Sequence, residues 1–352
     1  MLSAERIVIP MPEITVVITA YNLERFLPVC LDGLRAQTFQ DFDVVIVNDC
    51  STDRTAEIAA GFAAQEGERV HLLSTPQNLG RPGRARNFAL DSGLVTGKYV
   101  IFLDGDDETE PTFFEKLYNA AQQNDAQIAL CAYDRFEDGT GHVLCEEMHG
   151  FPAVIDLPAA DDVLAFLNGS LWNKLIRTEL IGDTRIPDFS AGEDLSFSAA
   201  LYMRCSRIVC VDEVLFHYRV RPGSVIAGTS AETIRAFAHA CAALLNSCKD
   251  DSAMYETVAL TTFIHIGISM AMRAWDNPDV PTRDMLREIR TFLRDQSILR
   301  GRRYLRLSSL LRHGVRGMAI WVCKWCTRLH CMNMFLGAYN FFKRIFHIDV
   351  KF

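Results

Sequence analysis

The chain has 352 residues, 49% of them hydrophobic and 23% charged, with a net charge of −8. That balance supports a sizeable core and excludes wholesale disorder, collagen and a coiled-coil rod, and the length fits two domains or one domain with an extension. The charge is uneven: residues 300–352 carry eleven Lys and Arg against the single acid Asp349, a local +10, which leaves −18 on the rest. An acidic body is a poor match for a nucleic-acid backbone, so no nucleic-acid partner is expected, whereas the basic end suits an anionic surface.

The first third alternates between short β-branched runs and helical patterns. ITVVITA at 14–20, DVVIV at 43–47, the run 70–74 and YVIFL at 99–103 read as strands. Helices are expected over 24–36, from about Thr52 to Gln65, and near 84–94. Strands separated by helices imply a parallel sheet covered on both faces, with ligands at the carboxyl ends of the strands. A further helix over 111–124, a strand over 127–133, a hairpin at Asp138, Gly139 and Gly141, a helix opening at Gly192 and a strand over 208–218 follow. Arg221-Pro222-Gly223-Ser224 reads as a turn and a boundary, and from about Ser230 the pattern is helical, broken at Asn277-Pro278 and Val280-Pro281. Residues 258–272 are strongly apolar but short for a bilayer, so a buried core helix carrying His265 is expected.

The strand ends are polar: Thr19, Tyr21 and Asn22, then Asn48, Asp49 and Asp53, then Asp104, Gly105, Asp106 and Asp107. Neither a G-x-G-x-x-G after the first strand nor a G-x-x-x-x-G-K-[ST] occurs, which excludes the dinucleotide fingerprint and the P-loop. Asp104-Gly-Asp106 in an exposed loop after a buried strand can address one hard cation, Mn²⁺ or Mg²⁺, and leave positions for phosphate oxygens. An acidic turn is the alternative. A phosphatase of the haloacid-dehalogenase type also places Asp-x-Asp after a strand but wants Thr or Val where Glu108 stands.

Taken together, PEITVVITAYN, DVVIVNDCSTDRT, NLGRPGRARNFAL and GKYVIFLDGDD resemble the nucleotide-sugar-binding half of family-2 inverting glycosyltransferases of the bacterial polysaccharide or glycolipid type. The likeness spans about residues 12–115 and continues through Leu171-Trp-Asn-Lys174, Gly192-Glu-Asp194 and His217-Tyr-Arg219. It implies a GT-A fold, a Rossmann-like, mostly parallel sheet with helices on both faces, followed by an α-helical C-terminal region. The expected division is a catalytic domain at 1–225, a helical region at 226–299 and basic amphipathic helices at 300–352. The resemblance implies that Thr19, Tyr21 and Asp49 line the base and ribose pocket, that Arg86 lies close to the nucleotide or sugar, that Asn22 and Asp107 belong to the same nucleotide-sugar site, and that Asp104 opens a metal motif whose principal ligand is Asp106, with His217 a further candidate. His217 and Arg219 match a late block that can close over metal or diphosphate, with strand packing the alternative for His217. Trp172 matches the acceptor side, where it stacks on a sugar or fills core. Asn48 and Cys50 depart from the Asp and Gly frequent in the family.

The implied activity is transfer of a sugar from a nucleoside-diphosphate sugar, UDP-linked by first choice, to a hydroxyl of a saccharide or lipid-linked acceptor. A non-catalytic sugar-nucleotide-binding or assembly subunit is the alternative. Cleaving the anomeric C–O bond leaves a charged diphosphate that a cation stabilises, while a carboxylate takes the acceptor proton on the opposite face, and one displacement inverts the centre. Asp194 is the expected base, at a helix start that favours its anion, and Glu193 orients neighbours or acceptor. N-capping is the alternative role for Asp194.

Leu311, Val315, Met318, Val322, Trp325, Leu329, Met332 and Leu336 recur at spacings of four and three, with Arg312, Arg316, Lys324 and Arg328 opposite. A helix lying on an anionic membrane, helped by Trp321, Tyr339, Phe341 and Phe342, is expected, against a packed helix or a homo-oligomer seam. Eleven cysteines, and a start MLSAERIVIPMPE without a signal-like apolar stretch, set the expectation of a cytoplasmic protein, peripheral on the inner face of the membrane. Cys323, Cys326 and His330 are expected to pack rather than form a metal site.

Overall fold

Near-continuous apolar runs cannot leave one face in water, and the strands of this chain bear that out. The computed structural model describes residues 11–157, 161–221, 229–300 and 302–346, the side chains of 161 and 340–346 excepted. The expected turn at 222–224, the 225/226 boundary, residues 1–10 and the rings of Phe341 and Phe342 lie outside the described residues.

Ten strands form one sheet: β1 (Ile14–Ala20), β2 (Phe42–Asn48), β3 (Val70–Ser74), β4 (Tyr99–Asp104), β5 (Glu108–Thr109), β6 (Ile128–Glu137), β7 (Val143–Glu147), β8 (Val154–Asp156), β9 (Lys174–Arg177) and β10 (Arg207–Val220). The order is β3-β2-β1-β4-β9-β6-β10-β5, with β7 on β6 and β8 on β10. β1 to β4 are parallel, joined by α1 (Leu27–Arg35), α2 (Thr55–Glu66) and α3 (Pro82–Asp91), and every residue of β1 and β2 is buried. Burial on both faces explains their unbroken Val and Ile content. β9 then enters antiparallel between β4 and β6, so the sheet is mixed where the sequence pattern implied a mostly parallel one. The helix α4 (Phe113–Gln123) lies in the sequence between β5 and β6, and the expected hairpin is the antiparallel β6–β7 pair.

The chain divides into two compact units. One takes in the chain up to Asp156 with Ser170–Ile186 and Arg204–Val220; the other takes in Leu157–Gly169, Pro187–Met203 and the chain from Arg221. The path crosses between them several times, unlike the linear division at 225 expected from the sequence. The second unit is helical: α5 (Glu193–Tyr202), α6 (Ala231–Ser247), α7 (Ser252–Asp276), α8 (Thr282–Asp295), α9 (Gly314–Arg328) and α10 (Met332–Phe346). α7 runs for 25 residues, longer than its apolar stretch suggested, capped by Asp251 Oδ1 on the Ala253 and Met254 amides and π-helical over Phe263–Met270. By length and composition it passes for a membrane span, yet 78% of its apolar window is buried in the protein, as a core helix should be. Val258, Phe263, Ile266 and Ile268 pack there with Leu244, Ile289 and Ile320.

The C-terminal stripe is not on one helix. A short helical turn at Leu307–Leu310 and a 3₁₀ turn at Leu311–His313 precede α9, and His330, at φ 63°, separates α9 from α10. α9 packs through Gly317, Ile320, Cys323, Lys324 and Thr327. Gly317 is required, since a Cβ there would lie 1.7 Å from the Leu310 carbonyl oxygen. Lys324, expected in solvent, is 7% exposed and donates to the Leu305 carbonyl at 2.8 Å, its pKa lowered by burial and by Arg328 and Arg306. Met332 and Leu336 are buried, while Leu311, Val315, Met318, Trp325 and Leu329 face solvent.

Candidate active site

Register places the acids. Thr19 pairs with Asp104 across β1 and β4, and Ala20 with Asn48 across β1 and β2, so three strand ends finish level. The Thr19 hydroxyl donates to Asp104 Oδ1 at 3.2 Å, and the buried Arg86 of α3 donates a guanidinium N–H to the same oxygen at 2.7 Å. Arg86 thus lies within reach of the acidic loop, bonded to Asp104 and 1% exposed. Gly105 follows, its amide on the Thr19 carbonyl, where a Cβ would press within 3.1 Å of Leu23 and 3.2 Å of Leu27.

The loop is held from the far side of the sheet. Arg219, near the end of β10, donates through Nε to the Asp106 carbonyl at 2.8 Å, through Nη1 to Asp138 at 3.0 Å and through Nη2 to Glu108. Its backbone amide donates to Asp107 Oδ1 at 2.9 Å, and its guanidinium lies over the Phe26 and Phe136 rings. With its side chain 10% exposed, Arg219 clamps the loop from behind. Burial, reinforced by Asp106 and Asp104, raises the Asp107 pKa well above the carboxylate range, and Asp107 Oδ2 is a buried oxygen with no hydrogen-bond partner.

His217 sits between two carboxylates. Nδ1 is 3.0 Å from Asp134 and Nε2 3.1 Å from Glu110, so both ring nitrogens are engaged and neither is directed to a cation. Trp172 is 6% exposed, stacked on Phe216 and Tyr218 with Tyr133 edge-on; it fills core and presents no face for a sugar. Neither set of partners was visible in the sequence: Asp134 and Glu110 lie 83 and 107 residues from His217.

Among the residues expected to line a nucleoside pocket, Asp49 Oδ1 accepts from the Thr75 hydroxyl at 2.8 Å and the Leu79 amide at 2.9 Å, tying β2 to the segment after β3. Asn22, at φ 53°, accepts from the Thr52 amide at 2.8 Å, and its own amide donates to Ser51 Oγ. Tyr21, 46% exposed, is open to solvent beside them. In the second unit, Glu193 and Asp194 form the first turn of α5, both half-buried.

A divalent cation fits this loop in chemistry: its donors are carboxylate oxygens, the set a hard ion prefers, and Asp107 brings an oxygen without a partner. Among the described residues no three His, Cys, Asp or Glu side chains are arranged to hold an ion alone. A cation here would complete its shell with water and ligand oxygens.

The comparisons with known proteins agree with this geometry. Residues 15–152 match the family model Glycosyl transferase family 2. The glycosyltransferase GlyA of Streptococcus pneumoniae serotype 4 is 30% identical over 222 residues, covering 60% of this chain and 31% of GlyA. TarS of Staphylococcus aureus, a poly(ribitol-phosphate) β-N-acetylglucosaminyltransferase, is 27% identical over 220 residues, 60% of this chain and 36% of TarS. The chain therefore corresponds to a minor part of both relatives. The structure of S. aureus TarS 1–349 in complex with UDP-GlcNAc superposes with a TM-score of 0.61 at 19% identity, covering 90% of this chain and 92% of that one. A mannosyltransferase from Pyrobaculum calidifontis in complex with GDP-Man and Mn²⁺ gives 0.53 at 15% identity, covering 91% and 88%.

The fold is thus GT-A, a mixed sheet with helices, followed by a helical C-terminal region. Within it, residues 15–152 are the part that matches the family-2 glycosyltransferase model.

Proposed function

We propose that the protein transfers a sugar, with inversion, from a nucleoside-diphosphate sugar to a hydroxyl of a saccharide or lipid-linked acceptor in bacterial surface-polysaccharide or glycolipid synthesis. The observation that carries this reading is the acidic loop Asp104–Asp107, fixed at three level strand ends by Arg86 and Arg219. A UDP-linked donor is favoured because a structural neighbour holds UDP-GlcNAc, and Mn²⁺ or Mg²⁺ because another holds Mn²⁺ with its donor. When bound, the ion would stabilise the charge growing on the departing diphosphate.

The protein's own residues do the rest. Asp106 and Asp104, through the oxygen that Thr19 and Arg86 do not engage, would hold the ion. Arg219 and Asp107 keep the loop in one shape, so that no reorganisation is needed as charge develops. Tyr21, Asn22 and Asp49 would face the nucleoside. Asp194 would accept the acceptor-hydroxyl proton; its support is the Glu-Asp motif and the start of α5, whose N-terminal partial charge favours the carboxylate. Leu311, Val315, Met318, Trp325 and Leu329, solvent-facing and set among Arg312, Arg316 and Arg328, suit attachment to an anionic membrane face.

The test is release of nucleoside diphosphate by purified protein from a panel of UDP- and GDP-sugars, with Mn²⁺ and with EDTA. Metal-dependent turnover of one donor supports the proposal. Donor binding without turnover on any saccharide or polyprenyl-phosphate-linked acceptor would favour a binding subunit instead.

A further inference from the structure

Outside the acidic loop, the helical unit holds a cavity of about 230 Å³ whose charged lining residues are all basic and whose remaining wall includes Leu286, Ile289 and Met332. Arg283, Arg287 and Arg290 line it from α8, and Thr327, His330 and Asn333 from the end of α9 and the start of α10. Spacings of four and three put the arginines on one face of α8. Arg283 and Arg290 make no ion pair among the described residues, and Arg287 has only Asp284, at 3.4 Å with both partners exposed. The other acid nearby on α8, Glu288, is taken by Arg235 at 2.7 and 2.9 Å. Like charges gathered on one helix face repel, so the arrangement costs stability unless an anion neutralises it.

We infer that this cavity is a phosphate-binding site, separate from the acidic loop, that takes a phosphomonoester or diphosphate. Guanidinium groups present planar forks of donors that match phosphate oxygens in pairs, and several converging on one cavity favour a multiply charged anion over a carboxylate. The volume is well above the ~30 Å³ that one liquid water occupies. Exposed Leu329 and Met334 flank His330 and Asn333 in the sequence, giving the lining segment apolar neighbours. A phosphate on a lipid and a free phosphate present the same chemistry to the arginines. The inference does not rest on the transfer reading.

The experiment uses the full chain and a triple variant, Arg283→Gln with Arg287→Gln and Arg290→Gln, none of them among Met285, Ile289 and Leu293, the buried residues of α8. Inorganic pyrophosphate is titrated calorimetrically in EDTA, and flotation is measured on phosphatidylcholine vesicles containing phosphatidic acid or phosphatidylglycerol. The wild type should bind pyrophosphate in a salt-sensitive way and the variant about tenfold or more weaker, as expected for losing charge-assisted bonds. A preference for phosphatidic acid that the variant loses assigns the site to a lipid phosphate; pyrophosphate binding without that preference assigns it to a soluble one. Equal pyrophosphate affinity and equal flotation of variant and wild type, with unchanged circular dichroism, would overturn the inference. UDP-sugar turnover in the same variant should be unchanged, which separates this site from the failure or success of the transfer reading.

Discussion

The backbone amide of Arg219 donates to the buried Asp107 carboxylate at 2.9 Å, joining two residues 112 apart in the sequence. The same residue's side chain holds Asp106, Glu108 and Asp138. Arg219→Ala should therefore destabilise the fold by about 2–4 kcal/mol, as for removing one partner of a largely buried ionic network. It should also raise KM for the donor more than it lowers its base-catalysed step. Denaturant unfolding and steady-state kinetics check both; a variant as stable as wild type with normal KM would remove the clamp role.

Asp104 and Asp106 should part company. Asp104 is a charge partner of Arg86, which is 1% exposed, so Asp104→Ala should lose about 1–3 kcal/mol. Asp106→Ala should melt near wild type yet abolish metal-dependent turnover. Thermal melts and UDP release on the two variants are the measurement.

Asp194→Asn keeps the shape of the first turn of α5 and removes the proposed proton acceptor. Transfer should fall by about 10²–10⁴, the usual worth of a positioned base, with donor affinity retained. Loss of donor affinity at unchanged kcat would move the residue out of that role.

Stability should fall in mild acid through His265. Burial, helped by Arg273, lowers its pKa from 6.5 to about 4. Between those values the unfolded chain binds the proton and the folded one does not, so stability rises with pH across the window and is lost as pH falls from about 6.5 to 4. The contribution is on the order of 3 kcal/mol. His265→Gln should flatten the dependence measured by urea unfolding at pH 5 and 7.

Val315→Asp with Leu329→Asp should abolish flotation with anionic vesicles and leave folding intact, because the two side chains are 74% and 67% exposed. Retained flotation of this double variant, or salt-resistant association of the wild type without lipid, would point to a protein seam.

Much of this could be read directly from the chain. β1 to β4 announce themselves because a strand buried on both faces is an unbroken apolar run, and the acids after Leu103 follow from local turn chemistry. What escaped was distant pairing. His217 is a strand residue until Asp134 and Glu110 are brought beside it, and Trp172 is an aromatic of open purpose until Phe216 and Tyr218 stack on it. Lys324 misled for another reason: a long aliphatic stem lets the ammonium bury when one carbonyl, that of Leu305, meets it. The crossing of segments 157–169 and 187–203 into the helical unit has no local signature at all.

The clamp has a consequence for biosynthesis. β1 to β4 are complete once residue 104 has been made, but the residue that shapes the loop after them is the 219th. A chain emerging from the ribosome can thus assemble its parallel strands long before its acidic loop acquires a fixed form, and that late, long-range closure should be among the slower steps of folding. Until then a nascent chain would carry the acidic loop without its clamp, so the loop should take its final shape only near the end of synthesis of the sheet.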